Sequence, residues 1–108
     1  MAGFDDREKA EEAKYAHDEA LKFRIEARRN KLLGLWAAGL LGKTDDADVS
    51  AYVTEVVASD FEEAGDEDVY RKVSGDFKAA GVNVSEADLR EKMSTLYLKA
   101  EMQVKEPS

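Results

Sequence analysis

Leu32-Leu33-Gly34-Leu35-Trp36-Ala37-Ala38-Gly39-Leu40-Leu41-Gly42-Lys43-Thr44 decides the fold of this chain. Its second half, from Ala37, matches the relaxed pattern of a nucleotide-binding loop, with Ala in the first Gly position. A working loop of that kind needs a strand before it, a helix after it and a strand-borne Asp for magnesium. The residues before it are wrong for a strand. Leu32, Leu33, Trp36 and Leu40 continue a helical stripe begun by Leu21 and Ile25. Gly42 is then a helix stop and Lys43-Thr44 a polar turn. A weak nucleotide contact at Lys43 and Thr44 stays open on this reading, but hydrolysis does not.

Downstream, three more helices are expected. One runs from about Asp46 to Glu63 with Val49, Tyr52, Val53, Val56, Val57 and Phe61 on one face, and Gly65 stops it. The next starts at Asp66, whose carboxylate is expected to cap it. It buries Val69, Val73 and Phe77 with Tyr70 beside them, and stops at Gly81. Gly75 inside it should cost about 1 kcal/mol against Ala. Ser85-Glu86-Ala87-Asp88 resembles a capping box, flanked by Val84 and Leu89 as a hydrophobic staple. The last helix then buries Leu89, Met93, Leu96, Tyr97 and Ala100. Gly81-Val82-Asn83-Val84 is too short for a strand and reads as a connection. The fold class is therefore all-α.

Upstream, nothing from Asp5 to Leu41 forbids helix, which would make about 56 Å of it. A compact domain of this size is only roughly 35 Å across, from a radius of gyration near 13 Å. Part of the first helix must project, bend or fray. Before Leu21 the large apolar residues past the initiator are Phe4 and Tyr15, with Ala10, Ala13, Ala16 and Ala20 between and after them. Such a segment cannot bury enough surface to offset its ordering entropy. Its local support is two acid-to-base pairs, Asp5/Lys9 and Asp18/Lys22, each worth a few tenths of a kcal/mol. The boundary between arm (1–20) and bundle (21–108) falls near Ala20.

The 108 residues make one domain, with 24 acids, 16 bases, one His and no Cys, for a net charge of −8. That balance argues against nucleic acid as a partner, and the absence of Cys removes disulfides, thiolate metal sites and thiol catalysis. The apolar run Leu32–Leu41 is half of a membrane span. The charge-rich first 20 residues lack the apolar core of a secretory signal, so a cytoplasmic location is expected. The charge is segmented: Asp5–Glu19 is net −4, Lys22–Lys31 is net +4 and Lys43 onward is net −8. Lys22, Arg24, Arg28, Arg29 and Lys31 are either paired internally with the later acidic helices or a docking face for an acidic partner. Asp45, Asp46, Asp48 and Asp66, Glu67, Asp68 lack the Gly and bidentate Glu of a calcium loop and suit helix N-termini instead. His17 has no nucleophile beside it and is read as an exposed residue or a weak pH modulator of the arm. An acyl-carrier function would need an Asp-Ser-Leu turn, which does not occur.

Three blocks resemble a known family: Phe4-Asp5-Asp6-Arg7-Glu8; Arg28 through Ala38 with Leu40-Leu41-Gly42; and Asp60-Phe61-Glu62-Glu63 with Gly65-Asp66-Glu67-Asp68-Val69. They are similar to the zeta subunits, the small ATPase-inhibitor proteins of the alphaproteobacterial F-type ATP synthase. The resemblance spans essentially the whole chain. Ala64 stands where some relatives have Pro, and the turn from Thr44 to Asp48 is variable.

What the resemblance implies is a four-helix bundle with a long first helix whose N-terminal arm is mobile or only conditionally helical. It implies an inhibitor of ATP hydrolysis rather than an enzyme. The arm would insert at an alpha/beta catalytic interface near the gamma subunit and block rotation, while the bundle docks outside. On that basis Phe4, Arg7, Lys9, Lys14 and Tyr15 are expected as arm contacts. Asp5 and Glu8 would cap the bound helix, and Arg24, Arg28 and Arg29 would dock on the catalytic head. No cofactor and no membrane insertion are expected. The free chain would be a monomer, held at the inner membrane only through the synthase. The alternative is a small helical regulatory protein that binds ADP or ATP weakly, without catalysis.

Overall fold

The computed structural model describes residues 2–61 and 66–105, with side chains from 18 to 60 and from 66 to 105. Four helices follow one another: α1 (Ala2–Leu40), α2 (Asp46–Ala58) with a single 3-10 turn at Ser59–Phe61, α3 (Glu67–Ala80) and α4 (Glu86–Lys105). No strand occurs among the described residues. The expected end of the second helix at Glu63 and its stop at Gly65 lie outside the described residues.

The local signals behave as their chemistry requires. Gly42 takes a left-handed φ of 80°. Its N–H donates to the Gly39 carbonyl at 3.2 Å, and the Lys43 N–H donates to the Ala38 carbonyl at 3.0 Å. That pair of bonds satisfies carbonyls the end of a helix leaves open. Ala37 and Ala38 are fully buried, so the supposed nucleotide loop is the last turn of α1. Gly81 ends α3 in the same way, with φ 72° and the Val82 N–H reaching the Phe77 carbonyl at 2.8 Å. Asp45 caps α2 by accepting from the Ala47 N–H at 3.4 Å. Ser85 Oγ accepts from the Asp88 N–H at 3.1 Å, so the Ser half of the capping box forms.

Asp66 is a correction to the expected pattern. It precedes α3, but its side chain makes no capping bond; its carboxylate accepts from Arg29 instead. The other exception is the pair Asp18/Lys22, which is not among the ion pairs of the described residues.

Cross-contacts fix the topology. Arg28 reaches Gln103 and Lys92 covers Trp36, so α4 runs antiparallel to α1. Asn30 meets Asp60 while Gly34 meets Val53, so α2 is antiparallel to α1 on another side. Tyr52–Asp76 and Lys72–Glu55 set α3 antiparallel to α2. The core joins Leu33, Ala37 and Ala38 of α1 to Tyr52, Val56, Val69, Val73, Phe77, Leu89, Met93 and Leu96. Each large member contributes about 1.5–3 kcal/mol by leaving water. Trp36 lies partly buried at the edge of this core, perpendicular to Phe77 with ring centres 5.7 Å apart. Leu40, expected in the stripe, is 44% exposed because Ala37 and Ala38 take the inward positions.

At 39 residues α1 is far longer than its partners. The molecule measures 65 × 28 × 21 Å with a radius of gyration of 17.5 Å, well above the 13 Å or so of a compact chain. Ile25 is the first buried residue along the described side chains, and Asp18, Glu19 and Ala20 are exposed.

Candidate functional site

The region where α1 joins the bundle carries the basic cluster, and the structure splits it. Arg29 is 1% exposed. Its Nε donates to Asn30 Oδ1 at 2.7 Å and its Nη2 to Asp66 Oδ1 at 2.9 Å, while its guanidinium carbon sits 5.9 Å from the centre of the Tyr97 ring. Asn30, also 1% exposed, donates to Asp60 Oδ2 at 2.9 Å. These residues form a polar hub tying α1 to both flanks of the α2–α3 connection and to α4. A buried guanidinium is tolerated only when its donors are met in this way. Arg29, expected among the docking residues, therefore points inward and takes the internal-pairing alternative.

Arg24, Arg28 and Lys31 remain on the surface. Arg28 is steered by its bond to Gln103 Oε1 at 2.7 Å. Phe23 stands beside them, 60% exposed. Phe4, Asp5, Arg7, Glu8, Lys9, Lys14, Tyr15 and His17 belong to α1, but their side chains lie outside the described residues.

The three acids at the start of α3 are each matched by an arginine from a different place. Asp66 holds Arg29, Glu67 holds Arg90, and Asp68 holds Arg71. Hydrogen bonds to Glu67 and Glu86 raise the pKa of Arg90 above its usual value, and the guanidinium stacks 4.0 Å over the Tyr70 ring. Nothing here resembles a calcium site; no group of His, Cys, Asp or Glu among the described residues could hold a metal. Among them, too, no helix is long and apolar enough to cross a membrane.

A second candidate lies at the other end of the bundle. The turn after α1 brings Lys43 to a cleft of about 330 Å³ lined by Leu41, Tyr52, Glu55, Lys72, Asp76 and Ala80. Lys43 Nζ and Lys72 Nζ lie 5.6 and 5.5 Å from the Tyr52 ring centre. The Tyr52 hydroxyl donates to Asp76 Oδ2 at 2.9 Å. Burial, with that bond and the charges of Asp76 and Glu55, pushes the phenol well above its usual pKa. Burial alone would lower the Lys72 pKa, but hydrogen bonds to Glu55 and Asp76 outweigh it and the ammonium is held above its ordinary value. Thr44 is exposed beside this turn. Periodicity placed Tyr52 in the core but gave no sign that Lys72 and Asp76 would meet its polar end. The i,i+4 spacing of that acid and base on one helix face was the available signal.

The overlong first helix, the inward arginine hub at its root and the outward basic row define a class. This is an all-α bundle that holds one helix firmly and extends it past its own core. The chain belongs to the ATPase inhibitor subunit zeta family, whose model matches residues 1–103. It is similar to a protein of known solution NMR structure at 48% identity and a TM-score of 0.70, over 82% of this chain and 99% of that one. A search of curated proteins gave no match.

Proposed function

We propose that this chain inhibits ATP hydrolysis by the catalytic head of an F-type ATP synthase. In this reading residues 1–20 are the inhibitory arm and 21–108 the anchoring bundle. Family membership supports the inhibitor role. The observation that carries the mechanism is the geometry of α1, which begins at Ala2, while the first buried residue among the described side chains is Ile25.

The arm enters between alpha and beta subunits near gamma, with Phe4, Arg7, Lys9, Lys14 and Tyr15 as contacts and Asp5 and Glu8 at its helix start. Small Ala residues between two aromatics suit a narrow cleft. Arg24 and Arg28, at the root of the arm, contact the head outside it. Docking the bundle beside the cleft raises the effective concentration of the arm and offsets the cost of ordering it. The protein acts as a non-catalytic partner and reaches the inner membrane only through the synthase. The test is titration of ATP hydrolysis by the isolated head with the full chain and with a chain beginning at Leu21. The full chain should inhibit and the short one should not; equal inhibition by both would remove the arm mechanism.

The cleft beside Lys43 favours a second reading, weak binding of ADP or ATP. Lys72 is matched there by Glu55 and Asp76, which leaves Lys43, with Thr44 beside it, as the phosphate contact. Amide shifts at Lys43, Thr44 and Tyr52 on adding millimolar ADP support this reading. Shifts confined to other residues reject it.

A further inference from the structure

Two contacts mark the ends of the seam where α1 and α4 lie side by side. At one end Arg28 Nε donates to Gln103 Oε1 at 2.7 Å, and at the other Lys92 Nζ lies 5.5 Å from the Trp36 ring centre. Lys99 stands on the α4 row between Lys92 and Gln103, within about 40° of both at 100° per residue. On α1, Arg24, Lys31 and Leu35 fall within about 60° of Arg28 by the same spacing. Arg24, Arg28, Lys31 and Lys99 are all exposed, and Leu35, on the α1 row with them, is 45% exposed.

The described bases that make no ion pair gather on this face: Arg24, Arg28, Lys31, Lys92 and Lys99 lie along it, and Lys22, Lys43 and Lys78 lie elsewhere. Arg29, Arg71, Lys72, Arg90 and Lys105 each hold a carboxylate. Arg24, Lys31 and Lys99 make no ion pair with any described residue. Glu26 lies about 200° round α1 from Arg24 and Arg28, and the acids nearest the α4 row, the exposed Asp88 and Glu91, stand at its Lys92 end and pair with none of these bases. A chain with eight more acids than bases thus leaves a row of cations unmatched on one two-helix face.

We infer that the α1/α4 face bearing Arg24, Arg28, Lys31 and Lys99 is the surface by which the bundle docks on an acidic protein surface. This rests on the inhibitor reading and extends its Arg24 and Arg28 contact, along α1 to Lys31 and across the seam to Lys99 of α4. Exposed charges at such a rim set the association rate and its salt dependence, and Leu35 supplies an exposed apolar contact at one end of the row. Anionic lipid or nucleic acid is a poorer occupant, because the net negative field of the chain opposes approach to a uniformly charged polyanion.

The experiment measures binding of the full chain to the isolated catalytic head at 50 and 200 mM salt, alongside inhibition. The variants are Lys99→Glu, Lys78→Glu and the triple Arg24→Glu/Lys31→Glu/Lys99→Glu. Lys78 is an exposed base on α3, so its reversal changes net charge equally but on another face. Circular dichroism melts establish that each variant folds. The triple variant should bind at least about tenfold more weakly at low salt and lose most of the salt dependence. Lys99→Glu should weaken binding a few-fold, and Lys78→Glu should stay within about twofold. A triple variant that binds as tightly as the parent overturns the inference while inhibition by the parent still stands. Equal losses from Lys78→Glu and Lys99→Glu overturn it too, since only net charge would then matter. If the parent neither binds nor inhibits, the inhibitor reading fails and takes this face with it. Binding of the parent to phosphatidylserine vesicles or duplex DNA, abolished in the triple variant, would replace the acidic protein with a polyanion and overturn the assignment.

Discussion

Arg29 and Asp66 are joined by a 2.9 Å ion pair across 37 residues of chain, with the guanidinium side chain 1% exposed and the carboxylate 53% exposed. The pair fixes the start of α3 against the middle of α1. Asp66→Ala removes the one described carboxylate bonded to the buried Arg29 and should cost about 1–3 kcal/mol. The half-exposed acid keeps the loss below that of a fully buried pair. Chemical denaturation of Asp66→Ala, Arg29→Met and the double variant would give the coupling. A coupling near zero would show that the guanidinium is held by Asn30 and Tyr97 alone.

Two glycines should respond to alanine with opposite signs. A Cβ at Gly34 would lie 3.0 Å from Val53 Cα and 3.2 Å from its Cγ2. The nearest atom is backbone, so α1 and α2 must separate to admit a methyl. Gly34→Ala should therefore destabilise by about 1–3 kcal/mol, and trimming Val53 to Ala should restore little of it. A Cβ at Gly75 meets nothing within 4 Å, and the position is exposed in mid-helix. Gly75→Ala should stabilise by about 0.5–1 kcal/mol. Thermal melts of the two variants decide both signs.

Alkaline stability should be governed by the Tyr52–Asp76–Lys72 cluster. Both Tyr52 and Lys72 have folded pKa values above their ordinary ones. The native state therefore holds protons that the unfolded chain gives up more readily. The contribution is fully present below about pH 10 and is lost as pH rises toward the folded values. Melting temperature should fall as pH rises from about 10 toward 11.5. Tyr52→Phe should flatten that fall, at a cost of about 1 kcal/mol near neutrality for the lost hydrogen bond. Absorbance titration of the four tyrosines should show one ionising later than the rest. A Tyr52→Phe variant with an unchanged alkaline profile would assign the effect to Lys72.

What could be read from the sequence was whatever depends on near neighbours. Gly42, Gly81 and Ser85 act through bonds that span five residues or fewer, so their residue types announce them. The apolar periodicity found Leu33, Val69, Val73, Phe77, Leu89 and Met93 for the same reason. Asp66 looked like a cap because capping is the local use of such a residue. Arg29 outcompetes the free N–H groups of α3, and no pattern within ten residues reveals that. Arg29 could be read as internally paired or as a docking residue, because burial of a charge is decided by partners distant in sequence. Lys99 was equally hidden as a member of the basic face: the seam joining it to Arg28 exists only once α4 packs on α1.

The continuity of α1 yields the sharpest functional prediction. The helix runs unbroken from Ala2 to Leu40, so the bundle sets the direction in which the arm leaves it. Ala20 is exposed and precedes Ile25, the first buried residue among the described side chains. Proline there removes one backbone bond and clashes with the carbonyl four residues earlier, costing the helix about 3 kcal/mol. That cost falls on the arm and not on the core, so the melting temperature of Ala20→Pro should stay within a few degrees of the parent. Inhibition of ATP hydrolysis should weaken by at least about tenfold, since the tether remains but no longer aims the arm. Ala20→Leu keeps the helix and should inhibit like the parent. If Ala20→Pro inhibits as strongly as Ala20→Leu, the arm reaches its site through a flexible tether and the continuity of the first helix has no part in directing it.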